Sequence, residues 1–177
     1  MKKSFFKWQT IGFVVTVFSG VLLHFLYEWT NEAIWIAPFT AVNESTWEHM
    51  KLLFIPMFSF TIIQSFFFKK YEKFWGVKLK GILLGVLLIP VLFYLYNGII
   101  GKSSDWINIA IFVISAATSF IYEYKVLYKA NENTPSMKTS IILLLFVLGL
   151  FVLFTFKPLK LAIFEDPTTN TYGIQKQ

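Results

Sequence analysis

Five continuous apolar runs, at about 11–29, 52–68, 79–96, 106–124 and 139–156, constrain this chain more than any other feature. Each is near the ~20 residues that an α-helix needs to cross the hydrocarbon core of a bilayer. Transmembrane strands would instead alternate apolar and polar residues over roughly ten positions, about half the length of these runs. The expected fold is therefore all-α, a single integral membrane bundle of about five transmembrane helices occupying 1–177.

Composition points the same way. Hydrophobic residues make up 56% of the 177 and charged ones only 15%, and the mean hydropathy is +0.61. A water-solvated surface cannot be built from that mixture, so membrane lipids are the expected surroundings. The 21 Phe and the 20% aromatic content suit lipid-facing helices and interfacial belts. There is no Cys, which excludes disulfides, thiolate metal ligands and cysteine nucleophiles. The net charge of +6 comes from 16 basic residues, all of them Lys. A folded nucleic-acid surface would favour Arg, so no nucleic-acid partner is expected and the lysines are read as topological signals.

The start, Met1-Lys2-Lys3-Ser4-Phe5-Phe6-Lys7, has the basic character of a signal peptide. The apolar stretch behind it runs on to Trp29 without a small-x-small cleavage site, so a retained first helix is expected. Lysines are held on the cytoplasmic side of membrane helices. Lys2, Lys3, Lys7, Lys69, Lys70, Lys73, Lys78, Lys80, Lys125, Lys129 and Lys138 fall on one side, against Lys51, Lys102, Lys157, Lys160 and Lys176 on the other. That bias puts the amino terminus inside and the carboxyl terminus outside. A polar segment at 30–50 and a tail at 157–177 then lie on the outer face. Pro56 and Pro90 fall within the second and third spans, where each removes a backbone hydrogen bond and can kink its helix.

Ionisable groups inside hydrocarbon cost roughly 2.5 to 3.5 kcal/mol each on insertion scales, which makes them the first place to look for chemistry. His24, Glu28 and Glu123 are the candidates. His24 and Glu28 are four residues apart and share one face in the outer half of the first helix. Glu123, between Tyr122 and Tyr124 at the inner end of the fourth span, reads as an anchored interface residue.

Immediately before the second span, Asn43-Glu44-Ser45-Thr46-Trp47-Glu48-His49-Met50-Lys51 packs two carboxylates, an imidazole and an ammonium into one short stretch. Ser45 and Glu48 match a capping box, with the Ser oxygen capping the new helix and Glu48 reaching back to the Ser amide. If the first two spans are neighbours, His24 and Glu28 meet His49 and Glu48 at similar depth. Imidazole and carboxylate ligands of this kind suit zinc and other divalent ions. His24, Glu28 and His49 are thus the expected metal ligands, with Glu44 or Glu48 as the general base if the site is catalytic. Asn43, Ser45 and Lys51 would line it, and Lys51 would suit an anionic headgroup. The spacing is no known zinc signature, because His-Glu-x-x-His is absent. The tail around Phe164-Glu165-Asp166-Pro167 and Tyr172-Gly173-Ile174 reads either as a lid over this cluster or as an exposed turn.

The Asn-Glu-Ser-x-Trp-Glu-His-x-Lys block, His24 to Trp29 and the tail together resemble a family of small bacterial multi-pass membrane proteins of unknown function. The resemblance implies a bacterial cytoplasmic (inner) membrane setting and no particular substrate. Three functions fit these residues: a site-bearing protein that binds a cation or metal and, if an enzyme, acts as a metal-dependent membrane hydrolase; an ion or proton transport component; or a structural, assembly or immunity-type protein without chemistry. The transport reading requires a homo-oligomer or a membrane protein partner, since five spans without a repeat do not make a complete transporter.

Overall fold

The computed structural model describes residues 2–101, 105–129 and 133–174. Five helices carry the chain: α1 (Lys2–Trp29), α2 (Thr46–Phe67), α3 (Phe74–Ile100), α4 (Asp105–Val126) and α5 (Met137–Phe156), followed by a 3-10 turn at Ala162–Phe164. All five are long and apolar enough to cross a membrane, and no strand occurs among the described residues. The helices outrun the apolar runs that announced them. At 28 and 27 residues, α1 and α3 extend about 40 Å at 1.5 Å per residue, against roughly 30 Å of hydrocarbon, so they tilt or project beyond it.

Helices α1, α2, α3 and α4 pack in a ring in which each touches the next and α4 closes back on α1; α5 lies against α2 and α3. Central position falls to α2, of which 61% is buried against 22–33% for the other four. Around it Leu53, Phe54, Met57, Ile82, Ala116, Leu144 and Phe151 form a fully enclosed apolar core. The remaining faces of α1, α3 and α5 expose large apolar residues such as Phe18, Leu87 and Ile142, a pattern that fits lipid contact.

Close approach of α3 and α4 depends on Gly81 and Gly85. A Cβ at Gly81 would overlap the Glu123 side chain, and one at Gly85 would overlap Ser119 Oγ. This small-xxx-small spacing is the usual device by which membrane helices bring backbones together. Both α2 and α3 run through their prolines without a break. Pro56 leaves the Leu52 carbonyl without its helical donor, and that carbonyl faces Gly20 of α1.

Glu123 corrects the expectation from sequence. It is not an interface residue: it is fully buried and receives Lys78 Nζ at 2.6 Å and Gln9 Nε2 at 2.6 Å on the same oxygen. Gln64 Nε2 in turn donates to Gln9 Oε1 at 3.0 Å. Each helix of the four-membered ring supplies one member of this network. Lys78, counted from sequence among the inner topological lysines, is 1% exposed. Charge cannot be left alone in hydrocarbon, so the two ions are buried as a hydrogen-bonded pair.

Candidate metal centre

At the opposite end of the bundle the chain leaves α1, turns through Asn31 and Glu32 with left-handed φ of 51° and 57°, and folds back over the helix ends. Ala37 and Thr40 are fully buried, so the segment is tucked into the bundle. Ser45 then caps α2, its Oγ accepting the Glu48 amide at 3.4 Å. Only this half of the expected capping box forms. The Ser45 amide is taken by Asn43 Oδ1 at 2.9 Å, and the Glu48 side chain goes elsewhere.

Glu48 and Lys51 form a buried ion pair at 2.6 Å. Lys51 Nζ also donates to the Ala37 carbonyl at 2.9 Å and to Thr155 Oγ1 at 2.7 Å. Glu48 accepts the Val42 amide at 3.2 Å and the Thr155 hydroxyl at 3.1 Å. All three protons of the ammonium and both carboxylate oxygens are engaged, which is the condition for burying such a pair. The pair ties α2 to α5 and to the re-entrant segment.

Glu44 is left free to do something different. Its carboxylate lies between two imidazoles, with Oε1 3.6 Å from His24 Nε2 and Oε2 3.6 Å from His49 Nε2. These separations are too long for hydrogen bonds. They are close to the ~3.3 Å edge expected between two ligands that each sit 2.0–2.1 Å from one tetrahedral ion. One ligand atom from each of His24, Glu44 and His49 lies within 4.8 Å of the others, and the rings of the two histidines are 5.4 Å apart.

His49 Nδ1 lies 2.9 Å from the Ser45 carbonyl. A carbonyl only accepts, so Nδ1 is the donor in this contact, and Nε2 is the ring nitrogen that faces Glu44. His24 is held differently: its Nδ1 is buried without a partner among the described residues, and the ring packs on Phe25 and His49. Glu28, one turn beyond His24, is exposed and stands outside the three-residue group.

The tail folds over this site. Asp166 caps its own turn, its Oδ1 accepting the Thr168 amide at 2.7 Å, the Thr168 hydroxyl at 2.6 Å and the Thr169 amide at 3.3 Å. Its other oxygen accepts the Glu44 amide at 3.2 Å, and Asn43 Nδ2 donates to the Gly173 carbonyl at 3.0 Å. Phe164 packs on Trp47 with ring centroids 4.8 Å apart. Burial works to raise the Asp166 pKa, but the hydrogen bonds from Thr168, Glu44 and Thr169 outweigh it and hold the carboxyl below its usual 3.8. Beneath the tail lies a cavity of about 450 Å³ lined by Glu44, His49, Asn97, Asn108 and Thr168 at one level and by Ile89, Phe93, Ile111 and Phe112 deeper in.

Sequence reasoning singled out His24 and His49 as ligands and Glu44 as a base, and the structure brings these three together; it placed Lys51 and Glu48 in the site, where the structure instead buries them in an ion pair. It missed Asp166 as the residue that fixes Glu44, as well as Thr155, Asn97 and Asn108. The tail's Asp-Pro-Thr-Thr run carried a turn signal, but nothing in it indicated where the turn would dock.

The arrangement defines a class: a helical protein with five bilayer-length helices that fits a multi-pass membrane protein and carries a histidine and glutamate cluster at one end of the bundle. The chain belongs to the family of unknown function DUF6512, whose model matches residues 1–174. No curated protein and no solved structure matches it.

Proposed function

We propose that this chain is a multi-pass protein of the bacterial cytoplasmic membrane that binds one divalent metal ion of the zinc type at the outer end of its bundle. His24 and His49 supply imidazole nitrogens and Glu44 a carboxylate oxygen. The observation that carries the reading is the convergence of these three donors within 4.8 Å, with His49 anchored through Nδ1 so that Nε2 is the free donor. Glu28, expected as a ligand, is left out.

Three protein ligands leave a fourth position for water, the arrangement in which zinc activates a nucleophile. Of the two expected general bases, Glu44 is taken as a ligand and Glu48 is committed to Lys51, Thr155 and Val42. The proposed function is therefore metal binding with an open coordination position, and no residue serves as its base.

Elemental analysis of detergent-purified protein tests it. Near-stoichiometric zinc or another transition metal is expected in the native chain and in Glu28→Gln, and its loss is expected in the His24→Ala, His49→Ala double variant. A stable native chain that takes up no metal after exposure to Zn²⁺ would overturn the reading.

A further inference from the structure

The cavity beside Glu44 and His49 has a graded lining. On α3 it follows one helix face from Gly101 through Asn97 and Phe93 to Ile89. Asn97 and Ile89 are eight residues, or about 12 Å, apart along the axis. On α4 the same order holds, with Asn108 at the rim and Ile111 and Phe112 below it. The floor is apolar and the rim is polar.

Two observations at the rim point to a ligand. The Oδ1 atoms of Asn97 and Asn108 are both buried, and neither has a hydrogen-bond partner among the described residues. Buried carbonyl oxygens without donors are costly, so the pair calls for O–H or N–H groups entering from the cavity. The second observation is the surroundings of the mouth. Leu95, Ile99, Ile100, Trp106 and Ile109, on the same ends of α3 and α4, are all at least 59% exposed. Such a belt sits in the interfacial zone of a bilayer, so the cavity is reached by molecules that partition there.

We infer that the cavity binds a membrane amphiphile with a single apolar chain and a hydroxyl- or amide-bearing head. The first part of the chain lies against Ile89, Phe93, Ile111 and Phe112. The head donates hydrogen bonds to Asn97 and Asn108 and turns an oxygen toward the metal held by Glu44 and His49. About 450 Å³ holds roughly fifteen water-sized groups at ~30 Å³ each, enough for a small head and the first carbons of a chain. Thr168 and Pro167 of the docked tail cover the head. The metal contact rests on the function proposed above; the cavity and its two carboxamides do not.

The test compares two photoreactive probes on the full-length protein in detergent, with labelled residues located by mass spectrometry. One is a monoacylglycerol with a diazirine on its acyl chain, and the other is the same molecule with both hydroxyls O-methylated. Labelling at Ile89, Phe93, Ile111 or Phe112 is expected, about tenfold stronger for the hydroxyl probe. In Asn97→Leu, Asn108→Leu that preference is expected to vanish. Equal labelling by the two probes, or labelling confined to the exposed Leu95 and Ile109, would overturn the inference even in protein that contains zinc, and the metal reading would stand. A preference that persists in protein devoid of metal would support the cavity ligand while removing the metal contact.

Discussion

Glu48 accepts hydrogen bonds from Lys51, Thr155 and Val42 and is 2% exposed, whereas Glu44, four residues earlier, is exposed and faces two imidazoles. The difference comes from what lies next to each. Glu48 is inside the first turn of α2, one turn from Lys51 and against α5, while Glu44 precedes the cap and has its backbone held by Asp166. The Asp166 carboxyl, depressed below 3.8 in the folded chain, stabilises the docked tail above that pH and loses the effect as pH falls through its folded value. Acidification below about pH 4 is therefore expected to release the tail. Limited proteolysis at 166–172 should report this in the native chain, and Asp166→Ala should give the same cleavage already at pH 7. An equally protected tail in Asp166→Ala would show that Phe164 and Asn43 suffice to hold it.

At the level of elements, α2 is the axis of the bundle, and polar networks tie it to its neighbours near both ends. Glu48 and Lys51 join it to α5. Gln64 joins it to α1, and through Gln9 to the Lys78–Glu123 pair between α3 and α4. Between the networks the contacts are mostly apolar, with the buried hydroxyls of Thr16, Thr61, Ser115 and Ser119 among them; lipid is as apolar as the core, so the polar ties and the close glycine contacts at Gly81 and Gly85 specify which helices meet. Removing one ion leaves the other buried alone. Glu123→Leu is expected to cost about 3–5 kcal/mol, and adding Lys78→Met should recover most of it, since an apolar replacement of the whole pair is near neutral. Thermal unfolding of the two variants in detergent measures this. A double variant no more stable than Glu123→Leu would mean that the pair holds the four helices in a way apolar packing cannot replace.

For the whole molecule, orientation decides what the histidine and glutamate cluster can meet. Lys78 and Lys51 are buried in ion pairs, so they drop out of the topological count, one from each side, and the remaining lysines keep the bias expected of an amino terminus inside. The chain has no Cys, so a single Thr169→Cys variant labelled in intact cells by a membrane-impermeant maleimide gives a direct reading. Labelling is expected; protection until the membrane is opened would reverse the topology and turn the site toward the cytoplasm. The sequence by itself determined the five helices, the all-α class and the polar stretch ahead of α2. These follow from local apolar length and a local cap, which every short segment carries within itself. It also pointed to His24, Glu28, Glu44, Glu48 and His49, because imidazole and carboxylate beside hydrocarbon stand out one residue at a time. Only the tertiary structure decided that Glu48 belongs to Lys51 and Thr155, that Glu123 is buried against Lys78, that Glu28 stays outside the cluster and that Asp166 reaches Glu44. Those outcomes depend on the rotation of each helix about its axis and on where a distant tail comes to rest. Such quantities are set by side chains far apart in the chain, 45 residues for Lys78 and Glu123 and 122 for Glu44 and Asp166, competing for the same few buried partners.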